Sequence, residues 1–270
     1  MRSPRTLLGI RQPRTEVFHL HIGTTYYWTV TARSDDEVAA TSPTWSFTTH
    51  AATPRWISVP GITNVRDIGG WSLPNGNVVS QGHIYRGSEM HPRLTITEAG
   101  RRILEDNLRI KTDLDLRAAD ETTGPVLNPD KVRWVNAPIL PYAHIAEAGQ
   151  PEQYRQVFAM LADPANHPVF LHCFGGADRV GTVIFMLGAL LGKDVEHLGH
   201  DYELTSFSIW GIRSRYSDEF QSLLTALRAH APGGTVLQQV EAYLLDAGVT
   251  AAELSSLRNT LITSSRNATG

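Results

Sequence analysis

The chain has 270 residues with a formal net charge of −3, because 24 Lys and Arg stand against 27 Asp and Glu, and it contains one cysteine. A slightly acidic chain has no general attraction to nucleic acid, and no apolar run approaches the length of a membrane span. A single cysteine excludes an intrachain disulfide. We therefore expect no nucleic-acid partner and no membrane span, and composition gives no indication of the oligomeric state.

Two short segments near the N-terminus alternate between polar and apolar residues as β-strands do. They are Thr24–Ala32 and Thr44–Thr49, and the polar stretch Arg33–Glu37 is predicted to turn after the first of them. The pattern predicts a small β segment over residues 1–50, followed by a linker over 51–55.

From residue 56 to 270, predicted strands and helices alternate. Thr95–Glu98 has the spacing of a capping box and predicts a helix that runs to about Leu108. Ile110–Leu116 and Arg133–Ala137 are predicted strands, and Gln150–Leu161 has helical periodicity. Helices dominate the remainder of the chain. This order predicts an α/β fold in which a central sheet is flanked by helices.

The one cysteine lies at a predicted strand-to-helix turn. Cys173 follows the apolar run Val169–Leu171 and precedes the apolar run Val180–Leu191. At such a turn, free backbone N–H groups and the positive end of the helix dipole favour a bound phosphate and lower the pKa of a thiol. We therefore expect Cys173 to be a thiolate nucleophile, although a lone cysteine is more often an inert buried residue.

The residues around Cys173 fit phosphate binding. Arg179 offers a planar fork for two phosphate oxygens, and Gly175 and Gly176 let the backbone turn its amides inward. We call residues 172–181 the phosphate loop. Its predicted substrate-binding residues are His172, Phe174, Gly175, Gly176, Ala177, Val180 and Gly181.

His172–Gly181 resembles the signature loop of the cysteine-dependent protein tyrosine phosphatases. The match is to the bacterial branch whose loop has the sequence His-Cys-x-x-Gly-Lys-Asp-Arg-Thr-Gly. Asn64–Gly70, Ile84–Ser88 and Leu114–Arg117 are similar to further motifs of that branch, and the resemblance extends over about residues 56–262. It implies the phosphatase fold, hydrolysis of phosphomonoesters with phosphotyrosine in proteins as the leading substrate, and no metal ion or other cofactor.

The resemblance also implies catalytic roles. Cys173 attacks phosphorus and forms a phosphocysteine, while Arg179 and the loop amides hold the phosphoryl oxygens. Asp178 is the predicted general acid and then base, because Glu147 and Glu152 are the only acidic residues between positions 131 and 162. The alternative is that Asp178 only pairs with a neighbouring arginine. His172 is expected to support the backbone of the cysteine.

The loop departs from the family at two positions. Ala177 replaces the family lysine, which weakens the rival interpretation as a phosphoinositide or inositol-phosphate phosphatase. Val180 replaces the residue whose hydroxyl assists departure of the thiolate, so breakdown of the phosphocysteine is expected to be slow unless Thr182 or water substitutes. A weakly active phosphate-binding pseudophosphatase is therefore a second rival.

Several residues outside the loop are expected to have supporting roles. We expect one group to brace the phosphate loop, a second to form a scaffold ion network, and a third to line the rim. These groups are Asn64, Arg66 and Asp67; Asp115, Arg117 and Glu121; and Trp210, Arg213 and Arg215.

The N-terminal β segment resembles the last two strands of a fibronectin type III module, and a simple appended hairpin is the alternative. A whole module needs about 100 residues, roughly twice what precedes the linker. The opening residues lack a signal peptide. We expect a secreted or surface protein if the N-terminus is truncated, and a cytoplasmic one otherwise.

Overall fold

A computed structural model describes residues 10, 14–34 and 37–264 of the chain. Its twelve described strands are β1 Thr25–Trp28, β2 Thr31–Ser34, β3 Glu37–Thr41, β4 Trp45–Thr48, β5 Arg55–Trp56, β6 Arg66–Asp67, β7 Val78–Val79, β8 Ile84–Gly87, β9 Thr112–Asp115, β10 Arg133–Asn136, β11 Val169–His172 and β12 Ile262–Thr263. Its seven described α-helices are α1 Glu98–Arg102, α2 Gln150–Ala162, α3 Arg179–Leu190, α4 Val195–Glu203, α5 Asp218–Arg228, α6 Val236–Asp246 and α7 Ala251–Leu261.

Six strands form the central sheet, in the order β10-β9-β11-β8-β6-β5. Strands β10, β9, β11 and β8 are parallel, whereas β6 and β5 join antiparallel at one edge. The carboxyl ends of β8, β9 and β11 lie side by side, because His172 is in register with Gly87 and with Asp115. Ligands of open α/β sheets bind at this end of parallel strands.

Apolar side chains cover both faces of this sheet, so the predicted α/β class is confirmed. On one face, helices α2, α3, α5, α6 and α7 supply buried residues that include Phe158, Ile184 and Leu244. On the other face, Met90 and Leu104 pack beneath Tyr85 and Phe170. Within the described ranges no helix is long and apolar enough to cross a lipid bilayer.

The helix predicted from the capping box begins later and is irregular. Thr97 is the N-cap of α1, because its Oγ1 accepts a hydrogen bond from the N–H of Gly100 at 3.1 Å. The box predicted at Thr95–Glu98 is therefore wrong. After α1 the backbone continues as a π-helical turn over Ile103–Asn107.

The N-terminal segment forms a ribbon of two antiparallel strand pairs, and its strands differ from the prediction. Strand β1 pairs with β4, and β2 pairs with β3, so the strand predicted over Thr24–Ala32 divides where its partner changes. Part of the predicted turn, residues 35 and 36, lies outside the described residues. The side chain of Gln81 anchors the base of the ribbon by bonding the N–H and C=O of Ile22 at 3.0 and 2.9 Å.

Candidate active site

Cys173 lies between the end of β11 and the start of α3, as the sequence predicted, and only 4% of it is exposed. The backbone N–H groups of Val180 and Gly176 lie close enough to its sulfur to act on the thiol. Gly176 adopts φ 65°, and a Cβ there would lie 2.2 Å from the carbonyl oxygen of Gly87. Glycine is thus required for the loop to turn toward the thiol.

The pKa of Cys173 is set by opposing effects. Burial raises the pKa of the thiol, whereas the amide of Val180 and the guanidinium of Arg179 lower it. Asp178 adds to the effect of burial. The pKa lies above the ordinary thiol value, contrary to the predicted lowering, because loss of hydration outweighs the positive field.

Two side chains hold the loop carbonyls away from the thiol. Asn64 Nδ2 donates to the carbonyl oxygen of Gly175 at 2.9 Å, and Arg86 Nη2 donates to that of Gly176 at 2.5 Å. When these carbonyls point outward, neighbouring N–H groups can face a bound anion. Asn64 has φ 61°, a left-handed conformation that Asn tolerates better than most residues.

A buried ion network fixes these two braces. Arg66 bonds Asn64 Oδ1 at 2.5 Å and Asp201 Oδ1 at 3.2 Å, and Arg86 pairs with the other oxygen of Asp201. Burial alone would raise the pKa of Asp201, but Arg86 and Arg66 hold it well below its usual range. As predicted, Asn64 and Arg66 support the phosphate loop: Asn64 contacts the loop and Arg66 holds Asn64.

Asp67 does not brace the phosphate loop as predicted. Its carboxylate instead bonds Arg55 at 2.7 Å and the N–H groups of Gly69 and Gly82 at 2.8 and 2.7 Å. Neighbouring strand residues point to opposite faces, so Asp67 cannot follow Arg66 toward the loop. Arg55 also donates to the carbonyl oxygen of His19, at 2.5 Å, and thus ties Asp67 to the N-terminal segment.

The guanidinium of Arg179 is bound by a carboxylate. Its Nη1 and Nη2 donate to the two oxygens of Glu121 at 2.7 and 3.0 Å. Burial acts to raise the pKa of Glu121, but Arg179 and the N–H of Ala118 lower it on balance. Glu121, predicted to be part of the scaffold, therefore contacts the candidate catalytic arginine directly.

The other two members of that predicted network lie behind the loop. Arg117 pairs with Asp115 at 2.7 Å and with Glu89 at 2.8 Å, and all three side chains are buried. The N–H of Glu89 donates to the carbonyl oxygen of Phe174 at 2.8 Å. Arg93 lies over the ring of Phe174 at 4.2 Å. The network therefore supports Phe174 from the side opposite the asparagine brace.

His172 is buried beneath the loop. Its Nε2 lies 2.9 Å from Asp113 Oδ1, and its carbonyl oxygen accepts the N–H of Leu116 at 2.9 Å. Burial lowers the pKa of the imidazole, but Asp113 and Asp115 raise it on balance. These contacts fix the residue before Cys173, and we assign it a supporting role.

Asp178 lies at the mouth of the loop with donors on its carboxylate. Tyr142 donates its O–H to Oδ1, while Arg213 Nε lies 3.2 Å from Oδ1 and Nη2 lies 3.4 Å from Oδ2. Asp178 does pair with an arginine, and it also faces a cleft of about 270 Å³. Glu147 and Glu152 pair instead with His144 and Arg155 on the surface.

The two family departures are both buried. Ala177 and Val180 are each 0% exposed. Thr182 is already engaged: its hydroxyl donates to the carbonyl oxygen of Asp178 at 2.9 Å and accepts the N–H of Tyr142 at 3.2 Å. The hydroxyl of Thr182 is therefore already hydrogen-bonded and is poorly placed to replace the hydroxyl that Val180 lacks.

Several residues of this site were missed by sequence analysis. Arg86, Tyr142 and Glu89 come from distant segments, and the sequence signal among them was the family-like motif Ile84–Ser88, which contains Arg86. Trp210, expected at the rim, lies over the loop so closely that a Cβ on Gly175 would be 2.9 Å from its ring.

Comparisons with known proteins identify similar chains. The model of the tyrosine phosphatase family matches residues 57–263. The chain is 24% identical over 283 residues to the triple specificity protein phosphatase PtpB of Mycobacterium tuberculosis, with 76% of this chain and 98% of that one covered. The structure of TpbA from P. aeruginosa has a TM-score of 0.41 at 18% identity, covering 63% of this chain and 89% of that one. The catalytic core of the PP-IP phosphatase SIW14 from S. cerevisiae has a TM-score of 0.38 at 18% identity, covering 57% and 94%.

Proposed function

Because this chain belongs to the tyrosine phosphatase family, we propose that it hydrolyses phosphotyrosine in proteins through a phosphocysteine on Cys173. The observation that carries this proposal is the position of Cys173 in the strand-to-helix turn, with the backbone N–H groups of Val180 and Gly176 near its sulfur. Asp178 and Arg179 lie in the same turn, at the start of α3.

In the first step, the thiolate of Cys173 attacks phosphorus and the bond from phosphorus to the tyrosyl oxygen breaks. Asp178 gives its proton to the departing oxygen. Arg179 and the loop amides hold the three remaining phosphoryl oxygens, which carry much of the transition-state charge. For this, Arg179 has to share or leave its contacts with Glu121.

In the second step, water attacks phosphorus and the bond from phosphorus to sulfur breaks. Asp178, now a carboxylate, takes one proton from the water, and Cys173 leaves as a thiolate. Val180 offers no hydroxyl to that thiolate. The second step is therefore the slower one in this proposal.

Phosphotyrosine is preferred over inositol phosphates because the loop is poor in positive charge. Ala177 brings no cation, and Arg179 is the one arginine or lysine in the phosphate loop. A highly charged inositol phosphate would need more positively charged side chains to bind its phosphates. The relative PtpB is named a triple specificity phosphatase, so substrates beyond phosphotyrosine belong in the test.

Substrate preference is tested by release of inorganic phosphate from matched phosphotyrosine and phosphoserine peptides, soluble inositol phosphates and phosphoinositide vesicles. The proposal predicts the highest kcat/KM for phosphotyrosine, and loss of turnover in Cys173→Ser. A higher kcat/KM for an inositol phosphate or a phosphoinositide would show that this class, and not phosphotyrosine, is the preferred substrate. Tight phosphopeptide binding without turnover that depends on Cys173 would establish the pseudophosphatase.

The N-terminal segment, residues 1–50, is proposed to be part of a fibronectin type III-like module, joined by 51–55 to a phosphatase domain over 56–270. Tyr26 pairs with Phe47, and Trp28 pairs with Trp45, so one face of β1 and β4 is aromatic. An aromatic inner face is what a sheet of a β-sandwich presents to its partner sheet. Limited proteolysis in the linker should release a folded phosphatase domain, and unfolding of that fragment would refute the boundary.

A further inference from the structure

The cluster around Asp178 extends beyond the residues assigned to catalysis. Tyr142 lies in a short 3₁₀ helix before α2, Tyr202 lies in α4, and Arg213 lies in the stretch that joins α4 to α5. The first and third of these segments meet at the carboxylate of Asp178, and Tyr202 contacts Tyr142. We propose that Tyr142 and Arg213 are positioning residues that fix which oxygen of Asp178 carries the catalytic proton, an inference that rests on the proposed function.

The contacts distinguish the two carboxylate oxygens. Asp178 Oδ1 accepts the O–H of Tyr142 and lies 3.2 Å from Arg213 Nε, whereas Oδ2 has only the 3.4 Å contact with Arg213 Nη2 among the described residues. An oxygen that already accepts two donors has little capacity for a proton. Oδ2 is therefore the oxygen that carries the proton and delivers it.

Tyr142 is itself held in place as a donor. Its φ is 61°, its N–H bonds Thr182, and its hydroxyl oxygen lies 2.8 Å from that of Tyr202. Burial and the charge of Asp178 raise the pKa of Tyr142 far above its ordinary value, so the phenol stays protonated. Tyr202 can then donate to Tyr142, which leaves the proton of Tyr142 directed at Oδ1.

Arg213 complements the charge that appears during the reaction. As the proton leaves Oδ2, negative charge develops on Asp178 between the guanidinium of Arg213 and the hydroxyl of Tyr142. Groups placed where charge develops stabilise the transition state without reorganisation. Tyr142 and Arg213 should therefore accelerate the reaction most for substrates whose leaving oxygen must be protonated to depart.

The test compares two substrates with different leaving groups. Phenyl phosphate has a poor leaving group that depends on protonation, and p-nitrophenyl phosphate has a good one. Because breakdown of the phosphocysteine is the slower step, kcat/KM is compared, which reports departure of the leaving group. Tyr142→Phe and Arg213→Met are expected to lower kcat/KM for phenyl phosphate by about tenfold, a part of the roughly 10²–10⁴-fold that a general acid contributes. The loss of kcat/KM with p-nitrophenyl phosphate should be much smaller. Arg213→Lys should restore part of the loss.

Arg215→Met is the matched control, because Arg215, predicted at the rim with Arg213, pairs instead with Glu203 at 2.7 Å. It should leave the ratio of the two kcat/KM values unchanged. In an Asp178→Asn background, Tyr142→Phe should have no further effect, as expected for residues acting through one group. Equal losses with both substrates, or a further loss in that background, would overturn the positioning role. Activity that depends on Cys173 but shows no leaving-group effect in Asp178→Asn would overturn it while leaving the proposed function intact.

Discussion

Arg179 and Glu121 form a two-bonded ion pair at the mouth of the phosphate loop, with distances of 2.7 and 3.0 Å. The pair orients the guanidinium before substrate arrives, and it also engages both of the terminal nitrogens that could bind phosphate. Phosphate and Glu121 therefore compete for Arg179.

Glu121→Gln should tighten inhibition by inorganic phosphate about fivefold, because the competing ion pair is partly exposed and worth about 1 kcal/mol at most. Glu152→Gln is the control, since Glu152 pairs with Arg155 on the surface. The inhibition constant for phosphate is measured for both variants against p-nitrophenyl phosphate. An unchanged or weaker inhibition in Glu121→Gln would show that the carboxylate only orients the arginine.

Alkylation of Cys173 by iodoacetamide should have a pH midpoint above the ordinary thiol pKa of about 8.5 in the ligand-free protein, because burial raises the pKa of this thiol. The reactive thiolate accumulates only as pH rises through that pKa. Arg179→Met should move the midpoint to higher pH, since a positive charge that favours the thiolate is lost.

Asp178→Asn should move the same midpoint to lower pH, because it removes a carboxylate that raises the pKa of Cys173. The two variants thus shift the profile in opposite directions. A wild-type midpoint below pH 7 would show that the field of α3 outweighs burial.

Val180→Thr should raise steady-state kcat about fivefold, because a threonine hydroxyl can bond the departing thiolate and such a bond contributes about 1 kcal/mol. The side chain at this position is fully buried next to the cysteine. Stopped-flow hydrolysis of p-nitrophenyl phosphate should show a burst in the wild type that shrinks in the variant. A wild type without a burst would place the slow step before the phosphocysteine.

Asp201→Asn should lower the free energy of unfolding by about 3–5 kcal/mol at pH 7, because Arg66 and Arg86 would stay buried without their counter-charge. The pKa of Asp201 is depressed in the folded protein, so its stabilising effect is present above the unfolded value of about 3.9 and is lost as pH falls through the folded pKa.

Urea unfolding measures this change. Asp194→Asn serves as the control, because Asp194 caps the same helix from the surface and asparagine caps nearly as well. A loss in Asp201→Asn no larger than that of the control would contradict the role of the network.

The phosphate loop was predictable because its structure is local. An apolar strand, a glycine turn and an apolar helix follow one another from Val169 to Leu190, and Cys173 and Arg179 belong to that single unit. The same holds for α2, whose apolar periodicity lies within one segment. Such features depend on neighbours a few residues away.

The partners of the loop were not predictable in the same way. Glu121 lies 58 positions before Arg179, and Arg213 lies 35 positions after Asp178, so only the folded chain brings them together. The division of the first predicted strand into β1 and β2 depends on which strand each part pairs with. The pKa of Cys173 depends on the balance of burial against nearby charges, which no local pattern reveals.

The central claim is that Cys173 carries the phosphoryl group. The most direct test is acid quench of Asp178→Asn during turnover of p-nitrophenyl phosphate, followed by mass spectrometry of the peptide that contains Cys173. The account predicts one added phosphoryl group on that peptide, and neither the modification nor turnover in Cys173→Ser. An unmodified Cys173 in an enzyme that still turns over, or turnover retained in Cys173→Ser, would contradict it.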